Sequence, residues 1–459
     1  MLFVPRKCNR LAIQHLMSHP IAALFAGMGL GKTVSTLSAF YYLRLLGEAK
    51  RLLVVAPLRV VLLTWPNELE KWDHLRGLKV VSLRTRAGWE ALRSGSADVY
   101  LVNWEMLPKL KRKYVSKTQT LAFDTVVFDE LTAAANHNSK RVNCIRRALV
   151  RKRGVMRRWG LTGTPVPQHL MQIFAQVRLL DGGKRLGPQF GLFRETYFHA
   201  TDYMQYHWEP YEGARERIFG RLADIVLSLP ASVYSDVSAP VMEDIEVALP
   251  DKVTKLYTEL SKQLIALMGK DEDVVVAASA GVLVNKLLQM TGGCVYSEEG
   301  KTVHLHSAKL EALRTLRRTL KGEPLLVACS FVHERKMILK AFPEASEFQD
   351  DAKFLDRWNR GKIPMLVVNP QSVGHGLNMQ FGGRVMVWYS LTYSRERYDQ
   401  LVARLVRHGQ REVVRVYHLI CRGTIDEAVL ETLHARGENQ TTLLQTLHNF
   451  RTLYASLHP

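Results

Sequence analysis

Apolar residues in this chain gather into short β-rich blocks that alternate with stretches of helical spacing, and the alternation runs through the chain twice. In the first half the blocks are 20–25, 51–57, 98–102 and 122–128. Between them, 34–46 reads as a helix, and Trp65, Glu68, Leu69 and Trp72 recur at helical spacing. The second half repeats the rhythm at 324–330, 365–368, 384–388 and 413–420, with helices predicted from near Ser394 and over 424–433. Strands that alternate with helices predict parallel sheets covered on their faces, an α/β fold. Pro230, Pro240 and Pro250 place the boundary between the halves within 228–250. Beyond it, 257–267 and 277–290 read as helices, and Ser307 as the N-cap of the next one. The aromatic-rich stretch with Phe190, Phe193, Tyr197, Phe198, Tyr203, Tyr206, Trp208 and Tyr211 fits either base stacking or a packed core.

The first strand runs into Ala26-Gly27-Met28-Gly29-Leu30-Gly31-Lys32-Thr33, and a helix follows. Strand, glycine-rich turn and helix together make a phosphate-binding loop. Gly29 and Gly31 let backbone N–H groups approach a polyphosphate, Lys32 meets its charge, and Thr33 can ligate Mg²⁺. A plain strand-to-helix turn is the alternative, since Ala26 stands where the first glycine of the strict pattern would be. About a hundred residues later, Asp129-Glu130 ends a hydrophobic strand. One carboxylate there can hold Mg²⁺ through water and the other can orient an attacking water; an isolated pair would read as a solvated turn. Thr162 and Thr164, in Leu161-Thr-Gly-Thr-Pro165, offer hydroxyls at the next strand end, either to sense the γ-phosphate or to shape a turn.

Charge narrows the partner. The 459 residues hold 63 Lys+Arg against 43 Asp+Glu, a net charge of +20, which favours a polyanionic partner, the alternative being a generally basic soluble protein. Arg146, Arg147, Arg151, Lys152, Arg153, Arg157 and Arg158 form a run without an acid, either a solvated face or a contact to phosphate backbone. Lys109, Lys111, Arg112, Lys113 and Lys117 form a second cluster. Five scattered cysteines without zinc spacing point to a reducing compartment and no structural metal. No apolar run reaches membrane-spanning length, so the expected location is the cytosol of a bacterium or an infected host.

Taken in order, Gly-Leu-Gly-Lys-Thr, Ala56-Pro57-Leu58 with Trp65 and Trp72, Asp129-Glu130, Leu-Thr-Gly-Thr-Pro, Gly374-His-Gly-Leu-Asn378 and Gln400 through Gln410 resemble the motifs of superfamily 2 helicases. Within them the chain looks most like the Swi/Snf-type ATPases in compact phage and bacterial form. The resemblance implies two tandem RecA-like lobes with helical insertions between them: lobe 1 over 1–180, insertions and linker over 181–305, lobe 2 over 306–435 and a helical tail over 436–459. It implies ATP and Mg²⁺ at Gly29, Leu30, Gly31, Lys32 and Thr33, with Gly376 from lobe 2 and an adenine-reading amide at Asn9 or Gln14. Asp129 and Thr33 would serve the metal, and Glu130 the water. Arg404 and Arg407 would be arginine fingers, where residue spacing alone allows surface ion pairs with Glu396 or Asp399. Thr162, Thr164 and Gln400 would couple the nucleotide to movement, and Pro57, Arg59, Asn378, Arg151, Lys152 and Arg153 would contact nucleic acid. Two residues depart from the pattern: Gly27 replaces an acid before the loop methionine, and Thr132 replaces a histidine after the acidic pair. The implied activity is ATP-driven translocation on double-stranded DNA, with a targeting protein as a possible partner. Strand separation on DNA or RNA, and nucleic-acid binding with little turnover, are the alternatives.

Overall fold

The computed structural model describes all residues except 116–122, 141, 145, 147–155, 164–169, 206–207, 235–236, 269–273, 298, 350, 374–376, 435–442 and 458–459. The chain divides into two compact units, Met1–Ser235 and Asp236–Pro459.

The first unit is built on a parallel seven-stranded sheet of β1 (Ile21–Ala26), β2 (Leu52–Ala56), β3 (Val80–Ser82), β4 (Val99–Asn103), β5 (Thr125–Asp129), β6 (Arg157–Thr162) and β9 (Val226–Leu229). Their order is β3-β4-β2-β5-β6-β1-β9. A small antiparallel pair, β7 (Phe198–Ala200) and β8 (Trp208–Pro210), lies outside it. Because side chains alternate across a strand, each central strand feeds two cores. Ala22, Leu24, Leu52, Val54 and Val127 pack on one face beneath helices α1 (Lys7–Ser18), α2 (Lys32–Leu45) and α3 (Trp65–Lys71). Ala23, Phe25, Leu53, Val55, Val126 and Phe128 pack on the other, with Leu92 of α4 (Arg86–Ser94) and Leu179 of the helix Ile173–Asp181. Burial on both faces explains why these strands read as unbroken apolar blocks.

The second unit repeats the plan with a parallel six-stranded sheet of β10 (Val241–Val247), β13 (Leu325–Ala328), β14 (Ala345–Glu347), β15 (Met365–Val368), β16 (Val385–Trp388) and β17 (Arg415–Cys421). The order is β10-β17-β16-β13-β15-β14. The hairpin of β11 (Cys294–Tyr296) and β12 (Thr302–His304) precedes the helix Ala308–Thr319, whose Leu313 and Leu316 cover Leu325, Val327 and Val387. The helices Asp251–Met268 and Val274–Thr291 lie between β10 and β11 in sequence, within the second unit.

Several details differ from the pattern reading. The proline-marked stretch is not simply linker: β9 pairs with β1 and β10 with β17, so each sheet takes an edge strand from close to the unit boundary. Ser307 holds the N-cap position, but its hydroxyl meets His304 at 3.1 Å and caps no helix N–H. α1, β3 and α4 are not among the elements predicted from the pattern and appear only in the fold. Phe193, Tyr197 and Phe198 belong to a buried cluster with Phe174 and Ile218, the core alternative for the aromatic stretch, while Tyr203 is almost fully exposed.

Candidate active site

A parallel sheet gathers the carboxyl ends of its strands along one edge, and the loops that follow share it. In the first unit this edge holds the glycine loop after β1, Pro57 and Arg59 after β2, Trp104 after β4, Asp129-Glu130 at the end of β5 and Thr162 at the end of β6. Register ties them together: Phe25 pairs with Thr162, and Asp129 with Leu161.

Gly31 is the N-cap of α2 in the left-handed region, at φ 76°, and Gly29 has φ 76° as well. A Cβ on Gly31 would also lie 2.9 Å from Asn9 Nδ2. Lys32 Nζ donates to Ala26 O at 2.8 Å and Gly27 O at 3.4 Å, so its ammonium lies within the curve of the loop. Gly163 borders the same space, with Met28 and Lys32 Nζ 3.6 and 3.8 Å from where its Cβ would be.

α1 braces the loop from below. Asn9 Nδ2 donates to Leu30 O at 2.9 Å and Ser35 Oγ at 3.0 Å, and its Oδ1 accepts from Arg6 N at 3.1 Å. Arg6 Nη2 adds a bond to Gly29 O at 3.2 Å. Both amide hydrogens of Asn9 are therefore engaged by the loop and the start of α2. Gln14, five residues on, is exposed.

Asp129 is buried, and each of its oxygens has a donor: Trp65 Nε1 at 2.9 Å to Oδ2 and Glu130 N at 3.0 Å to Oδ1. Trp104 Nε1 donates to the Asp129 carbonyl at 3.2 Å. Burial pushes the Asp129 carboxyl up to about 6 and the Glu130 charge adds to the rise, while the Trp65 bond and the Lys32 ammonium pull it down. A buried anion held by neutral donors, with the half-buried Thr33 hydroxyl in the first turn of α2, is a hard-oxygen donor set of the kind Mg²⁺ prefers. Glu130 itself is a non-glycine residue in the left-handed region, φ 51° and ψ 62°, a conformation that turns the chain sharply off β5. Gly160 lets Leu131 pack onto β6: a Cβ there would come within 2.7 Å of Leu131 Cδ2.

In the second unit Ser394 caps the helix Arg395–Leu405, accepting from Arg397 N. Arg404, which is buried, and Arg407 each donate through Nη1 to Leu377 O at 3.3 Å. Asp399, considered above as their surface partner, is held by Arg395 Nε at 2.9 Å. Gln400 Nε2 donates to Glu396 at 3.0 Å, and Asn378 O accepts from Asn359 Nδ2 at 2.8 Å. Gln410 Nε2 bonds Gln380 O and Gly383 O, and Gln380 Nε2 bonds His408 O, so the turn after the two arginines is clamped at its base. Thr164, Gly376, Arg151, Lys152 and Arg153 lie outside the described residues.

Pattern reading missed three contributors. Trp104 and Arg6 act through backbone carbonyls, which no spacing reveals. The third is a pocket at the carboxyl ends of β13, β15 and β16, lined by Ser330, Asn369, Gln371, Thr392 and Arg397.

A phosphate loop and an acid pair, its aspartate buried, on one sheet edge define a nucleotide hydrolase of the two-lobed helicase class. Residues 15–268 match the SNF2-related domain, and the chain belongs to that family of ATPases, helicase-like hydrolases of superfamily 2. Protein p41 of Acyrthosiphon pisum secondary endosymbiont phage 1 is 34% identical over 459 residues, covering 97% of this chain and 99% of the relative. The ISWI chromatin-remodeling complex ATPase ISW1 of Saccharomyces cerevisiae is 23% identical over 91% of this chain, which spans only 38% of that protein. The fold matches the Hef helicase domain of Pyrococcus furiosus, with a TM-score of 0.58 at 16% identity over 94% of this chain and 98% of that one. No helix among the described residues is long and apolar enough to cross a membrane.

Proposed function

We propose that this ATPase is a motor that moves along double-stranded DNA, hydrolysing ATP to ADP and phosphate as it goes. The observation that carries the reading is the joint placement of Lys32, Asp129 and Glu130 on one sheet edge of a chain with net charge +20. In this reading the loop N–H groups and Lys32 hold the β- and γ-phosphates. Thr33, and Asp129 through water, would hold Mg²⁺, which would supply positive charge beside the phosphate oxygens. Glu130 accepts a hydrogen bond from the water whose oxygen attacks the γ-phosphorus as the bond to the β-phosphate oxygen breaks. Arg404 and Arg407 supply positive charge to the transferring group. Asn9 is a positioning residue for the loop, because its amide hydrogens are already engaged there. Nucleic-acid backbone contacts are assigned to Pro57, Arg59 and Asn378, to Ser330, Asn369 and Arg397 around the second-unit pocket, and to Arg151, Lys152 and Arg153.

The test is ATP hydrolysis with double-stranded DNA, single-stranded DNA, RNA or no addition, run beside triplex displacement and duplex unwinding. Duplex-stimulated turnover with triplex displacement and no unwinding is expected. Unwinding would replace the translocase with a strand-separating helicase. Hydrolysis no faster than that of Lys32→Ala would refute both.

A further inference from the structure

On the first sheet, the edge strand β3 lies five strand spacings from β1 and its loop, roughly 24 Å at about 4.8 Å per strand. Beside it, α4 and the segment after β4 enclose a cavity of about 520 Å³ lined by Arg84, Thr85, Arg86, Trp89, Arg93, Lys109 and Lys113. No acid lines it. Arg86 pairs with Glu90 at 3.0 Å, whereas Arg84, Arg93, Lys109 and Lys113 have no carboxylate partner among the described residues. Four exposed like charges around one concavity repel one another, and the arrangement is relieved by a polyanion.

The cavity is also held in shape. Thr85 caps α4 by accepting from Gly88 N at 3.0 Å, and α4 sits so close to β3 that a Cβ on Gly88 would come within 2.0 Å of Ser82 O. Arg86, Trp89 and Arg93 then project from one face of α4 at three- and four-residue spacing. The ammonium groups of Lys109 and Lys113 lie 5.8 and 5.9 Å from the Trp89 ring centroid, so the indole fixes both without neutralising them. Trp89 Nε1 is buried and has no acceptor among the described residues. The cations come from two separate elements, and Lys111 and Arg112 continue the row. That layout suits an extended chain of phosphates better than a single compact anion.

We propose that this cavity holds the phosphate backbone of a second nucleic-acid segment, so that one chain engages two stretches of duplex at once. The inference rests on the nucleic-acid reading given above. In the test, one duplex is immobilised and the full-length protein is added; retention of a second, labelled duplex is then measured with and without salt, alongside duplex-stimulated ATP hydrolysis. The wild type should retain the labelled duplex. R84E/R93E should lower retention at least roughly tenfold and flatten its salt slope by roughly 2, with hydrolysis at saturating duplex within about twofold of wild type. R84K/R93K, which keeps the charge, should restore retention. A wild type that retains nothing, R84E/R93E retaining as much as wild type, or R84E/R93E losing retention and stimulation together would each overturn the second site. Retention without any duplex stimulation would instead remove the motor reading and leave the cavity assignment standing.

Discussion

Asp129 has donors on both oxygens and still has its carboxyl pushed up to about 6, because two neutral hydrogen bonds do not replace the water lost on burial. Asn9 is its counterpart beneath the loop, a neutral side chain that fixes two groups of the phosphate site by hydrogen bonds. Asn9→Ala should destabilise the first unit by about 2 kcal/mol in urea denaturation, since it leaves the buried Leu30 carbonyl only the weak Cys8 thiol donor, and should raise the KM for ATP more than it lowers kcat. Arg404→Ala should instead lower kcat by about 10³-fold with little change in nucleotide binding, read by steady-state hydrolysis beside a fluorescent-nucleotide titration. Lys32, Asp129 and Glu130 were legible in the sequence because their chemistry depends on local spacing. The target of Asn9 was not, because its acceptors lie 21 and 26 residues away and one of them is a backbone carbonyl.

At the scale of an element, the helix Val332–Ala341 starts with two neighbouring titratable residues shifted in opposite directions. His333 is buried between Phe331, stacked at 5.5 Å, and Tyr296, and neither ring nitrogen has a partner among the described residues; burial lowers it to about 4. Glu334 accepts from Ser390 Oγ, Ser330 N and Phe331 N, yet its burial raises it to about 7. The signs follow from proton uptake. The unfolded chain protonates His333 near pH 6.5 and the folded chain only near 4, so its contribution to stability is lost as pH falls across that window. The unfolded chain ionises Glu334 near pH 4.5 and the folded chain near 7, so its contribution is lost as pH rises. The two oppose one another between about pH 4.5 and 6.5. Relative to the wild type, His333→Phe should therefore tilt the melting temperature toward falling with rising pH in that window, and Glu334→Gln toward falling with decreasing pH. Calorimetric melting at half-unit steps of pH would check both. Nothing in the periodicity announced this pair, because a helix pattern marks which side is buried and not whether a buried polar group finds partners.

For the whole molecule, the two groups of candidate catalytic residues lie in different compact units, with Arg404 about 370 residues from Lys32 and about 275 from Asp129 and Glu130 in sequence. If both act within one chain, mixing Lys32→Ala with Arg404→Ala should give no more hydrolysis than the sum of the two alone; recovery in the mixture would mean that neighbouring chains share sites. Duplex stimulation should also weaken steeply with salt, as expected for a chain of net charge +20 if the proposed contacts are to phosphates. The two-sheet plan was legible because strands buried on both faces leave unmistakable apolar blocks. The edge strands β3, β9 and β10 were not, since they are short or exposed along part of their length and two of them flank a proline-rich stretch.

One of those edge strands gives the phosphate loop a short route out of its own unit. Gly27 N donates to Leu229 O at 2.9 Å, so the residue that enters the loop is bonded directly to the end of β9, only twelve residues before β10 begins. A rearrangement at the loop thus has a short covalent tether, residues 230–240, to β10 of the second unit. Slack added to that tether, by inserting a few glycine and serine residues after Val237, should leave ATP turnover largely intact and shorten the distance travelled per ATP, as measured by triplex displacement against phosphate release. The gearing of the proposed motor would then reside in a dozen residues that take no part in its chemistry.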